Sequence, residues 1–147
     1  MTTTLSSQRR EFLKQDFERG FIRYCQFSAF HMDRGVFRSR VDIQDHHRQQ
    51  DNFIHAGVMA TMADHTAGYA AFTTVTDKYQ ILTIEFKINF LKPAMGNALE
   101  CHSQVLRDGR QIIIAESEVY DIRDTGRVMA AKATVTLMAV PREKLQR

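Results

Sequence analysis

The stretch Ala56–Phe72, AGVMATMADHTAGYAAF, decides the fold. It holds no proline and no β-branched run, and Val58, Met62, Tyr69 and Phe72 recur at the spacing of a helix that buries one face. The spacing predicts a helix over 56–72. Eight of these 17 residues are Ala or Gly, more than a surface helix uses, so a neighbouring backbone or a ligand must come close to it. A sheet wrapped around the helix would supply that neighbour.

Working outward, Met1 to Ser7 is polar and expected to fray. Ser6 or Ser7 is placed to cap a helix over about 8–19 whose narrow apolar face carries Phe12, Leu13 and Phe17. Asp33-Arg34-Gly35 signals a turn, and Val36 to Ile43 reads as a half-buried strand with Phe37, Ser39, Val41 and Ile43 on one face. Gln44 to Ile54 is polar and aperiodic, which predicts a loop. Beyond the central helix, period-two alternation marks strands over Ile84–Phe90, Leu99–Val105 and Ile112–Tyr120, with a last one over Val128–Ala139. Asp108-Gly109 and Asp124-Thr125-Gly126 read as turns between them. The expected order is helix, two strands, helix, then four consecutive antiparallel strands in a meander. This is an α+β class and a single domain over 1–147, a curved antiparallel sheet around a central helix. A six-stranded sheet leaves open edges, and continuation of the sheet into a second copy would cover them, so a homodimer is expected.

Composition narrows the function classes. The 20 Lys and Arg are scattered among 17 acidic residues and leave a formal charge of only +3, with no basic stripe, which argues against nucleic acid. The longest apolar runs, such as Ile112–Ala115, fall far short of the ~20 residues that cross a bilayer, so no membrane partner is expected. Two cysteines and no basic-apolar leader point to a cytoplasmic, reduced protein. No Cys/His metal spacing is present, and none of the serine-elbow or glycine-rich phosphate motifs occurs.

The chemistry concentrates in Asn52–Ala67, NFIHAGVMATMADHTA. Asp64 is a lone carboxylate among small apolar residues, on the same predicted face as Gly57, Ala60, Thr61, Gly68 and Ala71. Burying such a charge is costly without partners or a function. The bland reading is an acid on a wet helix face. His55 and Gly57 stand at the helix start, where unpaired N–H groups and the positive end of the dipole can hold an oxyanion. Their bland reading is a cap and a tight entry into the helix.

His55-Ala56-Gly57, Asp64 seven residues after the glycine, the Ala-rich helix and Asn89-Phe90-Leu91-Lys92-Pro93-Ala94 together resemble the phenylacetate-degradation (PaaI) type of hotdog-fold acyl-CoA thioesterases. The resemblance implies hydrolysis of a small or medium acyl- or aryl-acyl-CoA to free acid and CoA. It places Asp64 as nucleophile or general base and puts backbone N–H groups at Ala56 and Gly57 on the thioester carbonyl. His55, Gln49 (where the family often has Asn) and Thr83, which would orient water, complete the catalytic set. The first glycine of the family pattern is Ala56 here. Asn52, Met59 and His65 are candidates for lining the substrate site, while Lys92, Arg107 and Arg110 near strand ends suit the CoA phosphates. Coenzyme A enters as part of the substrate, with no separate cofactor and no metal. The expected assembly is a homodimer or a dimer of dimers.

Geometry adds a constraint independent of the resemblance. Gly57 and Asp64 are two helical turns apart, about 10 Å, yet donor and attacker must converge on one carbon, so the site is expected to straddle two subunits. Two other readings remain open: a non-catalytic acyl-CoA-binding hotdog, and a hotdog dehydratase needing a His paired with an acid. Asp64 and His65 diverge on one helix and cannot form that pair, leaving His31 and His102 as the histidines to place.

Overall fold

The computed structural model describes residues 4–146. The chain runs α1 (Ser7–Phe17), α2 (Phe21–Cys25), β1 (Ser28–Asp33), β2 (Val36–Asp42), a 3-10 turn (Asp45–His47), α3 (Ala56–Phe72), β3 (Tyr79–Phe90), β4 (Ala98–Asp108), β5 (Ile112–Arg123) and β6 (Gly126–Pro141), with a final 3-10 turn at Arg142–Lys144. Ser6 caps α1 by accepting from the Arg9 N–H at 3.0 Å, and Leu5 packs against the core, so order begins earlier than the polar composition suggested. The expected fraying of Met1–Thr3 lies outside the described residues. Helix α2 had no sequence signal; Gly20 at φ +60° turns the chain into it and Gln26 in the left-handed region ends it.

The six strands form one antiparallel sheet in the order β1-β2-β4-β5-β6-β3. The expected meander is therefore corrected. β3 pairs with β6 at one edge, while β4 inserts between β2 and β5. Residues 91–97 are a crossover instead of a hairpin connection, and they pass the start of α3, where Ile54 N–H donates to Ala94 O at 2.8 Å. That crossing is what ties the sheet to the entry of the central helix.

The core lies between the concave sheet face and α3. Phe37, Val41, Leu99, Ile113, Val119, Val135 and Leu137 from the sheet meet Met59, Met62, Ala63, Ala67 and Ala70 from the helix. Facing alanines at 115, 131 and 133 let the backbones approach, which accounts for the small residues of α3. Two buried hydroxyl contacts fix the helix about its axis: Ser39 Oγ to Thr66 Oγ1 at 2.7 Å, and Ser117 Oγ donating to Ala63 O at 2.7 Å. Leu13 and Phe17 of α1 close the open side, Phe17 stacking on Phe37 at 5.2 Å between ring centroids. Among the described residues no helix is long and apolar enough to cross a membrane.

The rotation fixed by these contacts leaves Ala60, Thr61, Asp64 and Gly68 half-exposed. Asp64 is thus not a buried charge, and Ala71, expected on its face, is packed fully in the core. The edge strand β3 also departs from plain alternation. Its pairing with β6 shifts between Thr83 and Glu85, so Ile84 is an extra residue in a β-bulge. Leu82, Ile84, Phe86 and Phe90 of this unpaired edge are all exposed.

Candidate active site

The start of α3 is held by three anchors. His47 is buried, its Nδ1 accepting from the Gln44 N–H at 2.9 Å and its Nε2–H donating to Cys25 O at 2.7 Å, while burial lowers its pKa and keeps it neutral. The His47 carbonyl in turn accepts from His55 N–H at 2.9 Å. The second anchor is Arg48, which donates to Asn52 O at 2.8 Å and Gly96 O at 3.1 Å. The third is Asp121, fully buried, whose carboxylate accepts from Met95 N–H at 3.0 Å, Gly96 N–H at 2.9 Å and Arg123 Nε at 2.8 Å. A Cβ at Gly96 would collide with the Ile122 carbonyl, so this close crossing requires glycine. Asp121 and His47 had not been singled out in the sequence. The available signal for Asp121 was an acid in register with the inward row Ile113, Ala115, Ser117 and Val119.

Held this way, His55 is the N-cap of α3. Its Nδ1 accepts from Gly57 N–H at 2.7 Å, which places the imidazole proton on Nε2. Of the two backbone donors expected, Gly57 is therefore already engaged, and the one without a partner among the described residues is the exposed Ala56 N–H. It opens on a cleft of about 550 Å³ lined by Gln49, His55, Met59, Phe90 and Lys92. Gln49 Oε1 accepts from Asp51 N–H, leaving its amide nitrogen unpartnered within the described residues. Asn52 sits in the same turn at φ +69°, a left-handed position that Asn tolerates, with its side chain exposed.

Asp64 sits mid-helix, where Thr83 Oγ1–H donates to its Oδ1 at 2.7 Å. The bulge makes this contact possible. Thr83 opposes the inward-facing Leu137, whereas beyond Ile84 the inward positions are Phe86 opposite Val135 and Ile88 opposite Ala133. In a regular strand of the same residues, with no bulge, Thr83 would share the outward face of Glu85 and Lys87. Two clefts flank Asp64. One of about 370 Å³ runs past Arg19, Phe21, Ala60 and Phe86, and one of about 190 Å³ lies toward Gly68, Tyr69, Phe72 and Ile81.

Neighbouring polar groups face elsewhere. His65 Nε2 is bonded to Phe17 O at 2.9 Å and its ring packs on Phe17 at 4.4 Å; burial lowers its pKa, outweighing the carbonyl and the nearby Asp64 and Asp16. Tyr69 donates to Asp16 Oδ2 at 2.8 Å, and burial with that bond pushes the phenol pKa well up. His102 lies 3.7 Å from Glu100 beside Tyr120, and His31 is exposed on β1. Neither is brought to Asp64. The three basic candidates are also split: Lys92 lines the His55 cleft, while Arg107 and Arg110 are exposed on the β4–β5 hairpin. That hairpin adjoins the opposite end of α3, through Val105 N–H to Gly35 O and Gly35 N–H to Thr73 Oγ1.

Within one chain the two halves stay apart. Ala56 and Asp64 are eight residues apart along α3, about 12 Å. Among the described residues no group of three or more His, Cys, Asp or Glu side chains could hold a metal.

The Thioesterase superfamily model matches residues 51–128, which spans α3, both halves of the site and the crossover. A thioesterase family protein from Silicibacter pomeroyi is similar in structure at TM-score 0.86 and 30% identity, covering 90% of this chain and 98% of that one. Thioesterase HI1161 from Haemophilus influenzae superposes at TM-score 0.80 with 12% identity over 95% of this chain and 94% of its own, a likeness of fold. The medium/long-chain acyl-CoA thioesterase YigI of Salmonella typhimurium is 24% identical over 100 residues, 59% of this chain and 63% of that protein.

Proposed function

The chain belongs to the thioesterase superfamily, and from that membership we propose that it hydrolyses a small or medium acyl- or aryl-acyl-CoA, in a site shared by two copies. The observation that carries the proposal is Asp64: a half-exposed carboxylate, one oxygen held by Thr83 Oγ1 at 2.7 Å, between two clefts in a matched thioesterase domain. The motif resemblance to the PaaI type supports the same assignment.

In this reading the thioester oxygen rests on the Ala56 N–H, with His55 Nε2–H as a second donor, while Asp64 comes from the partner copy. Donors fixed before the reaction stabilise the charge that develops on that oxygen without reorganising. Asp64 either attacks the carbonyl carbon or takes a proton from a water that does; the C–S bond then breaks, and the thiolate of CoA leaves and is protonated from solvent, and in the first route a water then cleaves the acyl–Asp64 anhydride to release the acid and restore the carboxylate. Thr83 orients one carboxylate oxygen so that the other is presented. The long unpaired edge β3 with exposed Leu82, Ile84, Phe86 and Phe90 supports pairing with a second copy, which would also bring the two half-sites together.

Asp64→Asn keeps size and removes the anion that either route needs. Release of free CoA thiol from acetyl-, hexanoyl- and benzoyl-CoA should fall at least ~100-fold. Turnover within a few fold of the wild type would end the proposal. Single-turnover hydrolysis in ¹⁸O-water then probes the route, since label in the Asp64 carboxylate reports an anhydride formed by attack on carbon, and label only in the product acid favours water activation.

A further inference from the structure

Resting on the reading of Asp64 as the catalytic carboxylate, we infer that Gly68 is a specificity-determining residue. Its missing side chain forms the floor of the acyl pocket, and the pocket it leaves takes an acyl group about the size of one six-membered ring.

The first observation is a glycine with no local reason to be there. Gly68 lies in the interior of α3, where glycine weakens a helix relative to alanine. Its backbone is helical, and a Cβ built on it meets nothing within 4 Å. Gly57 differs, since its Cβ would press on His55 Nδ1 at 2.9 Å, and so does Gly96, where backbone stands in the way. Neither conformation nor packing within the chain asks for glycine at 68.

The second observation is what the vacancy adjoins. Gly68 is one turn beyond Asp64 on the same face, and with Tyr69, Phe72, Gln80, Ile81 and Thr83 it lines the cleft of about 190 Å³. Phe72, almost wholly buried, forms part of its lining. Its walls are fixed. Tyr69 is tied to Asp16 and packed on Phe17, Phe37, His65 and Phe72 at 4.9 to 5.7 Å between centroids, so the ring cannot swing aside for a longer chain. The wider cleft on the other side of Asp64 opens past exposed Phe21 and Arg19 and suits the extended arm of CoA. A cavity of ~150 Å³ holds benzene, which sets the scale for the smaller cleft.

The test compares wild type with Gly68→Ala on acetyl-, hexanoyl- and benzoyl-CoA, alongside melting temperature and assembly mass. One methyl group of lost room in an apolar pocket discriminates by about 10- to 200-fold. Expected are kcat/KM for acetyl-CoA within about twofold of wild type, a loss of roughly tenfold or more on hexanoyl- and benzoyl-CoA, a melting point raised by about 3 °C, and unchanged mass. An equal change on all three thioesters, a lowered melting point or a smaller assembly would overturn the inference, because each assigns Gly68 to packing or to a subunit contact. If wild type cleaves none of the thioesters, the proposed hydrolysis fails by itself, and calorimetric binding of the thioethers S-ethyl-CoA and S-hexyl-CoA decides Gly68. Selective weakening of S-hexyl-CoA in Gly68→Ala supports the pocket, and equal binding overturns it.

Discussion

Replacing Ala56 by proline should disable the protein while leaving it folded. Ala56 is the first residue of α3, its N–H makes no bond within the described residues, and the fixed φ of proline suits that position. His55 before it stands at φ −62°, ψ 134°, in the extended region that a residue preceding proline requires. No folding hydrogen bond is lost, so stability should move by no more than ~0.5 kcal/mol. Activity should respond very differently. Removing one donor from an oxyanion site costs about 10²- to 10³-fold in kcat, roughly 2.7–4 kcal/mol, and because His55 Nε2–H remains, the lower end is expected. The assay is CoA thiol release at saturating substrate, with urea unfolding as the control. A second arm mixes Ala56→Pro with Asp64→Asn under verified subunit exchange. If donor and carboxylate come from different copies, each heterodimer has one intact site, and a statistical mixture should recover about a quarter of wild-type activity. Near-normal kcat in Ala56→Pro refutes its role as donor, and no recovery in a verified mixture refutes the shared site.

Other consequences are as specific. Thr83→Val should lower kcat by about 10- to 100-fold with little change in stability, since a bond to a carboxylate is worth about 1.5–3 kcal/mol, and an unchanged kcat would remove Thr83 from the site. Ser117→Ala, which takes the donor from the Ala63 carbonyl and a partner from Ser103, should destabilise by about 1–3 kcal/mol in urea titration; a neutral result would mean that α3 is not fixed through it. His47 and His65 both have folded pKa values lowered by burial, so below the ~6.5 of the unfolded chain the unfolded state binds more protons. Their share of stability is complete above that pH and is lost on acidification through it, visible as a urea midpoint lower at pH 5.5 than at 7.5, with a smaller drop in His47→Gln. Phe86→Lys on the exposed edge should shift the mass measured by light scattering to that of a monomer and abolish turnover with it; a monomer of full activity would contradict the shared site.

The central helix was legible to its end residues, because burial of one face imposes a period that the sequence must carry. Strand identities were legible too, but not their neighbours: alternation reports which face is buried and is silent about partners, so β3 and β4 looked paired although β5 and β6 lie between them in the sheet. Asp64 stood out through its isolation among small residues, which implied burial, whereas the side chain is half-exposed. The assignment of donors was partly displaced by a side chain, since the His55 ring occupies Gly57 N–H and leaves Ala56, a contact that residue spacing does not encode. Asp121 was missed because a carboxylate satisfied by backbone N–H groups carries no local motif. Its partners Met95 and Gly96 are 26 and 25 residues away.

The bulge at Ile84 divides one strand into two segments of opposite phase. Up to Thr83 the odd-numbered residues face inward and Thr83 holds the carboxylate; from Phe86 onward the even-numbered residues face inward. A single inserted residue therefore acts as a phase shifter between the segment that holds the carboxylate and the segment beyond it. Natural variation on either side can retune one without rotating the other, whereas a regular strand through the same residues, with no bulge, would exchange the faces of everything on one side of Ile84. Relatives that keep the carboxylate but lack the bulge would need a different residue number, not merely a different residue type, to orient it.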